Sequence, residues 1–322
     1  MKVAHWTFFN GSGLTNVATD MAEADTAMGL QAVLCDTNNH ETWEAGMDAN
    51  IHVVHAHLPD KLSFDKKTKI IIVEHGSPEH IFEQSLQQGV APSYAAADSF
   101  SLACFFLKRA NAVVTFWPRH AAIWETLTGK PVYCIPMGVK LDFWQRQQGI
   151  APLAGNPPLF TAENAHNCKW PLDLFLLWPH LIERFPDARL HAINIPTDQH
   201  RWWWPLAFLN GSRYTSYMTA LRFDPLNLRN YLSAAPYYYS PVRYGDHNRI
   251  CLEAAACGSK VVSFEGNEYA HYWVREGDQR RQLEDLTRIL KGEVQEREPL
   301  AVPDIKDTAA AMLQIYHKIL LA

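Results

Sequence analysis

The 322-residue sequence contains no run approaching the roughly 18 consecutive apolar residues that a membrane-spanning helix requires. Its first residues, MKVAHWTFFNGSG, form a short apolar run and a turn, without the longer apolar region and cleavage site of a secretory signal. Cysteine is scarce: Cys35, Cys104, Cys134, Cys168, Cys251 and Cys257 are scattered, and none forms a C-x-x-C pair. The residues of zinc ribbons and thioredoxin-like redox sites are therefore missing. Free thiols, mostly buried, in a reducing cytoplasm are expected instead. Positive charge is also short. With 29 Lys and Arg against 34 Asp and Glu, the formal net charge is -5. That argues against a globally basic nucleic-acid binder and gives DNA no support as a partner. Internal repeats and low-complexity tracts are absent.

What remains is a globular composition, 48% hydrophobic and 20% charged, able to build a sizeable core. A chain of this length reads as two domains. Short apolar runs alternate with helix-like segments, the pattern of α/β architecture with parallel sheets. KVAHWTFF, QAVLCD, IHVVHAH, KIIIVEH, NAVVTF and PVYCIP are the expected strands of the first half, and LTNVATDMAEADTAMG is a helix closed by Gly29. QRQQGIAPLAGNPP, rich in Gln, Gly and Pro, reads as a linker. It divides a first domain, residues 1–147, from a second, residues 148–303. LFTAEN, ARLHAINIP, PYYYSPV and KVVSF are expected strands of the second domain, with PLDLFLLWPHLIERF and ICLEAAAC as helices. Residues 304–322, with DTAAAMLQIYHKILLA, form an amphipathic helix expected to pack back on the first domain. Two doubly wound, Rossmann-like domains facing across a cleft follow, with ligands at the carboxyl ends of the strands.

The stretch SPVRYGDHNRICLEAAACGSKVVSF carries the most chemistry. Asn248 suits an N-cap and Gly258 a helix terminator, which predicts a helix of about two and a half turns beginning at Arg249. A cation at that position is disfavoured by the helix dipole, at about 0.3–1 kcal/mol. The placement makes sense if an anion such as a phosphate lies between Arg249 and the unpaired N–H groups of the first turn. Glu253, four residues on, is placed to bond a sugar hydroxyl. A surface ion pair of Arg249 with Asp246 or Glu253 is the plainer alternative.

The segment YLSAAPYYYSPVRYGDHNRICLEAAACGSKVVSFEGNEYAHYWV resembles the donor-binding region of GT-B glycosyltransferases, particularly the large retaining family 4. In that family a strand ending in Pro-Ser precedes a Glu-x7-Glu motif, an Ala-rich helix and a Val-Val strand. NGSGLTNVA is similar to the family's glycine-rich first loop (Gly11, Ser12, Gly13), and HVVHAHLPD to its His-rich strand end. VEHGSPE resembles the loop bearing an active-site His, here His75. VYCIPMGVKLDFW resembles the segment before the interdomain linker, and NCKWPLDLF the one bearing a diphosphate-binding lysine, here Lys169. The resemblance spans about 260 residues in order. Its second Glu falls on Glu253, which would hold the donor ribose. Its first falls on Gly245, so Asp246 is the candidate for the donor sugar. An Arg that the family keeps before the Lys is absent around Glu163 and Asn164, and Arg249 or Arg243 is placed to supply that charge.

The resemblance implies transfer of a hexosyl or pentosyl group from a nucleotide-diphosphate sugar, such as a UDP-sugar, to a hydroxyl acceptor. It implies retention of configuration and no metal or other cofactor beyond the donor itself. The acceptor stays open: a saccharide, a lipid-linked sugar, a small molecule, or a hydroxymethylated base in phage DNA. No Asp-x-Asp motif occurs, so the metal-dependent GT-A alternative has no anchor. Donors such as Lys169, Arg249 and the N–H groups after Asn248 would stabilise the leaving diphosphate, at about 3 kcal/mol each in comparable oxyanion sites.

Other features admit two readings. His75 is a contact for donor or acceptor, or a strand-end His with a backbone partner. His55 and His57 share one strand face and His52 takes the other. Two histidines make half a zinc site without a third ligand, so His57 is read as lining the cleft. Trp202, Trp203 and Trp204 can stack on a base or sugar, meet a membrane interface, or pack beneath a loop. FFLKRA, with Arg119 and His120, is a candidate for peripheral contact with acidic lipids. Two rival functions follow. A non-catalytic nucleotide-sugar binder fits the missing first Glu. A nicotinamide-dependent oxidoreductase fits GSGLTN and Asp36, but lacks the third glycine and leaves the second half unexplained.

Overall fold

The computed structural model describes residues 1–9, 13–55, 68–76, 109–162, 171–193, 218–221, 224–243 and 248–321. Among these residues the elements run β1 (Lys2–Thr7), α1 (Gly13–Ala27), β2 (Gln31–Asp36), α2 (Glu44–Met47), β3 (Ile51–Val54), β4 (Lys69–Glu74), β5 (Ala112–Thr115), α3 (Pro118–Thr128) and β6 (Val132–Cys134). There follow β7 (Pro158–Thr161), α4 (Pro171–Arg184), β8 (Arg189–Ile193), β9 (Met218–Leu221), α5 (Pro225–Ala234), β10 (Tyr237–Ser240), α6 (Arg249–Ala256), β11 (Lys260–Phe264), β12 (Tyr272–Val274), α7 (Gln279–Leu290) and α8 (Ile305–Leu321). The chain divides into two compact units, Met1–Lys140 with Pro303–Ala322, and Leu141–Val302. The linker composition predicts the boundary at 147/148; the break falls at Lys140/Leu141.

The first unit holds a six-stranded sheet in the order β2-β1-β3-β4-β5-β6, with every pairing parallel. Alternation along the strands sends side chains to two faces. On one face Ala4, Trp6, Val54, Ile72 and Val113 pack with Cys35 and with Trp124 of α3. The other face carries Val3, His5, Val53 and Ile71, all fully buried. Helices α1 and α8 pack against each other. Their buried stripes, Val17, Met21 and Asp25 on α1 and Met312, Ile315 and Tyr316 on α8, follow helical spacing.

Residues near 303 rejoin this unit through a close backbone approach. Val139 bridges Asp304 in parallel, and Gly138 donates to the Thr308 hydroxyl at 2.8 Å, which itself donates to the Pro136 carbonyl at 2.9 Å. Gly138 is required there, because a Cβ would stand 2.6 Å from the Ile305 Cα.

The second unit holds another fully parallel sheet, β12-β11-β10-β7-β8-β9. Its main core joins Leu159, Leu190, Tyr239, Val262 and Phe264 to Leu174, Leu177, Trp178 and Leu181 of α4, and to Leu283, Leu286 and Ile289 of α7. The i, i+3, i+4, i+7 spacing on α4 supplies the apolar stripe the sheet needs.

Both sheets are doubly wound. In the first, the chain leaves β1 for β2 and then returns to the opposite side at β3. In the second it runs from β7 to β8 and β9, then returns at β10. The switch points, β1/β3 and β7/β10, are where such sheets bind ligands, outside the carboxyl ends of the strands.

Candidate functional site

In the second unit, β10 ends at Ser240, beside the switch point with β7, and α6 begins at Arg249. Asn248 caps the helix as its sequence requires: it is extended, and its side chain accepts from the Cys251 N–H at 3.1 Å. Gly258, at φ +84°, ends the helical turn in a conformation that other residues rarely adopt. Within this helix the Arg249 Nε donates to Glu253 Oε1 at 2.8 Å, and the two side chains are only 10% and 8% exposed. The plainer alternative for Arg249, a pairing with Glu253, is therefore realised, but the pair is shielded from water. A guanidinium at i and a carboxylate at i+4 fix each other's orientation, so Glu253 presents its carboxylate in one defined arrangement. Arg243 lies just beyond the carboxyl end of β10 with its Nε 3.9 Å from Glu276 Oε1. Gly245, Asp246 and Lys169 lie outside the described residues.

In the first unit the carboxyl ends of β1, β3 and β4 carry a feature that the sequence only half disclosed. His75 Nε2 is 3.1 Å from His55 Nδ1, His55 Nε2 is 3.1 Å from His5 Nδ1, and His5 Nε2 is 3.1 Å from Asp25 Oδ2. The same Oδ2 accepts from the Tyr316 hydroxyl at 2.9 Å. Register explains the line. His5 pairs with Val53, and Val53 with Ile71, so His55 lies two residues further along and His75 two further again. The three rings climb diagonally, one strand per step, from the interior towards the strand ends. His5 and Asp25 are fully buried and His55 nearly so, whereas His75 is half-buried.

Burial, reinforced by the His75 and His5 rings, holds His55 well below the usual imidazole range, so it is neutral. Burial pushes Tyr316 well above the ordinary phenol value, with the Asp25 charge adding to it, so it remains a donor. The Phe116 ring tilts against His75, with centroids 5.4 Å apart.

The expected division of His52 from its neighbours holds: on the opposite face its Nδ1 accepts from Trp6 Nε1 at 2.9 Å. The histidines form a line and not a converging set, and among the described residues no group of three His, Cys, Asp or Glu is placed to hold a metal ion. His57, Gly11 and Ser12 lie outside the described residues, as do Trp202, Trp203 and Trp204. Gly13 is the first residue of α1 and is exposed, with nothing within 4 Å of where a Cβ would stand.

The lipid-contact reading needs a correction at His120. It is fully buried against Trp117, with ring centroids 5.0 Å apart, while Arg119 is exposed. At the N-terminus of α3 only Arg119 reaches the surface, so the two residues do not form one basic patch. Among the described residues no helix is long and apolar enough to cross a membrane. Cys35, Cys251 and Cys257 are buried free thiols, and Cys134 is exposed.

His5, Asp25 and Tyr316 were missed in the sequence, and so was Glu74, whose carboxyl burial pushes up to about 7. A histidine alternating with apolar residues in the first strand, AHW, was the available signal for His5. Nothing local marks Asp25 or Tyr316, which are 291 residues apart.

Comparison with protein-family models and with curated protein sequences gives no match. Solved structures do match. Sucrose-phosphate synthase from Thermosynechococcus elongatus aligns over 100% of this chain and 96% of its own, with a TM-score of 0.69 at 14% identity. Anabaena HepE in complex with UDP-glucose aligns over 99% and 98%, at 0.65 and 12%. An α-glucosyltransferase in complex with UDP and a 13-mer DNA containing an HMU base aligns over 100% of both chains, at 0.62 and 9%. At these identities the likeness defines the fold. The chain has the GT-B glycosyltransferase fold, two Rossmann-like α/β units each built on a parallel sheet.

Proposed function

We propose that the protein is a retaining glycosyltransferase of the family 4 type, transferring a hexosyl or pentosyl group from a nucleotide-diphosphate sugar to a hydroxyl acceptor. The observation that carries the reading is the buried Arg249–Glu253 pair at the capped start of α6, beside the β7/β10 switch point. It stands in a fold whose solved neighbours include complexes with UDP and UDP-glucose. Glu253 holds the donor ribose, with Arg249 orienting its carboxylate and adding positive charge near the helix start. Asn248 shapes that helix start. Lys169 and the first-turn N–H groups meet the diphosphate, whose charge grows as the sugar leaves. Asp246, following Gly245, binds the donor sugar, and Arg243 adds charge at the same strand end. His75, with the loop of Gly11, Ser12 and Gly13, belongs to the acceptor side, and His57 lines the same region.

The donor is the only co-substrate in this reading; neither metal nor other cofactor takes part. The buried thiols support a reducing, cytoplasmic setting. The acceptor is a hydroxyl compound, and the DNA-bound neighbour keeps a hydroxymethylated base among the candidates.

Calorimetry with UDP-sugars and other nucleotide sugars tests the donor site. Glu253→Ala and Lys169→Ala are each expected to weaken binding by about tenfold to a hundredfold, the loss of one charge-assisted hydrogen bond. Unchanged affinity in both variants refutes the assignment. Stabilisation by NADH with no response to any nucleotide sugar would favour the oxidoreductase instead.

A further inference from the structure

We propose that Asn267, Trp273 and Arg297 are positioning residues for the donor site. In series they tie the segment after α7 to the first turn of α6, and so set where Glu253 and the first-turn N–H groups stand. The inference rests on the donor reading of α6 and adds to it three residues that act on that helix from behind.

Helix α6 has eight residues, little more than two turns, and a helix that short has almost no stability of its own. What packs behind it therefore decides where its first turn stands. Cys251, the third residue, is fully buried, and Glu253, two residues on, is rotated about 200° from it around the helix. The thiol thus lies on the side away from the Arg249–Glu253 pair. Asn267, also fully buried, reaches it there, with the amide Nδ2 3.7 Å from Cys251 Sγ. The orientation of the amide is fixed: the Tyr269 N–H donates to Oδ1 at 3.0 Å, and a backbone N–H needs an acceptor. The NH2 is left for the sulfur. The same Cys251 gives its own N–H to the Asn248 cap, so one residue receives the capping bond and the bond from behind.

Asn267 is held in turn from the segment after α7. Its carbonyl accepts from Trp273 Nε1 at 2.9 Å. The Arg297 guanidinium lies over the Trp273 ring, 3.4 Å from the centroid, and donates from Nη1 to the Ala270 carbonyl at 3.0 Å. The Arg297 N–H donates to the His271 carbonyl at 2.9 Å and the Leu300 N–H to the Glu268 carbonyl at 3.0 Å. Backbone pairing alone would tether the segment; the guanidinium and the indole carry the tie on to Asn267 and so to α6. Residues 297–300 lead to Pro303, where the first unit resumes. Displacement by about 1 Å at a reacting site can cost about a hundredfold in rate, so a tie of this kind matters to a two-turn helix. Coupling is also reciprocal: if the segment sets the donor helix, a bound donor must steady the segment.

UDP, UDP-glucose, GDP-mannose and ADP-glucose are titrated into the wild type by calorimetry, and the tightest binder is used at saturation for hydrogen exchange read by mass spectrometry. Exchange over residues 296–300 is expected to slow by about fivefold or more on binding. A merely structural tie would leave that segment indifferent to the donor. Trp273→Phe keeps a ring under Arg297 and removes the bond to Asn267, whereas Arg297→Ala removes the stacked guanidinium. Each variant is expected to bind the same nucleotide about fivefold to fiftyfold more weakly and to exchange faster over residues 249–253. Donor binding with no change at 296–300 overturns the proposal, and so does wild-type affinity in both variants. If neither variant folds, the wild-type exchange alone decides. If none of the four nucleotides binds, the transferase reading falls and takes the proposal with it; binding without protection of the segment removes the proposal alone.

Discussion

Replacing either member of the Arg249–Glu253 pair should cost far more than an i, i+4 pair on a helix normally contributes. An exposed pair of this spacing adds about 0.3–0.5 kcal/mol. Here the N–O distance is 2.8 Å and the side chains are about nine-tenths shielded from water. Glu253→Gln leaves a guanidinium buried without its carboxylate, and breaking a buried pair in this way costs about 3–5 kcal/mol. For a unit of this size that corresponds to a fall of roughly 6–20 °C in melting temperature. Arg249→Met should fall by a similar amount, for the converse reason. The double variant, Arg249→Met with Glu253→Gln, should recover part of the loss, because neither charge is then stranded. Urea denaturation of all four proteins gives the coupling energy directly, expected at about 1.5–3 kcal/mol. A coupling below about 0.5 kcal/mol would show that the pair is solvated after all, and would remove the reason for treating Glu253 as preorganised.

Two further predictions concern pH. Burial lowers His52 to about 4, and the Trp6 hydrogen bond needs its Nδ1 lone pair. The unfolded chain binds a proton there near 6.5, so this contribution is complete above that pH and is lost as pH falls towards 4, amounting to about 3 kcal/mol. His52→Asn, which keeps an acceptor for Trp6, should flatten the pH dependence of urea stability between pH 7 and 4.5; an undiminished slope counts against the account. Glu74 behaves oppositely. Its carboxyl is raised to about 7, so its contribution is full below about pH 4.5 and is lost as pH rises through 7. Glu74→Gln should melt above the wild type at pH 8 and level with it at pH 4, and equal melting temperatures at pH 8 would refute the shift.

The alternation of apolar runs and helical spacing made the two parallel sheets legible, because fully buried parallel strands read as continuous apolar runs. Asn248, Gly258 and the helix between them were equally clear, since caps depend on local chemistry alone. Strand ends were less so. IHVVHAH reads as one strand, but β3 is Ile51–Val54, and His55 follows it with its N–H donating to the Trp6 carbonyl of β1 at 2.9 Å. Helix α7 escaped notice although Leu283, Leu286 and Ile289 give it a clear buried stripe, because its charged face dominates the composition. The Arg249–Glu253 pair could be proposed from i, i+4 spacing, but not its burial, which depends on what the fold lays over it. The histidine line was beyond sequence reasoning for another reason. It joins residues on three strands and two helices, and only the register of β1, β3 and β4 brings them into step.

The return of the chain to the first unit bears on how the protein is made. Residues 141–302 are synthesised in one run and contain everything their sheet and core require. The first unit is begun earlier but waits for α8, and with it Tyr316, which follow the whole second unit along the chain. The order of completion should therefore invert the order of synthesis, with the later unit closing first on the ribosome. Until then Asp25 has no phenol, the apolar face of α1 lies open, and Gly138 lacks the backbone of Asp304 and Ile305 beside it. A nascent chain stalled short of residue 303 should be the form most in need of a chaperone.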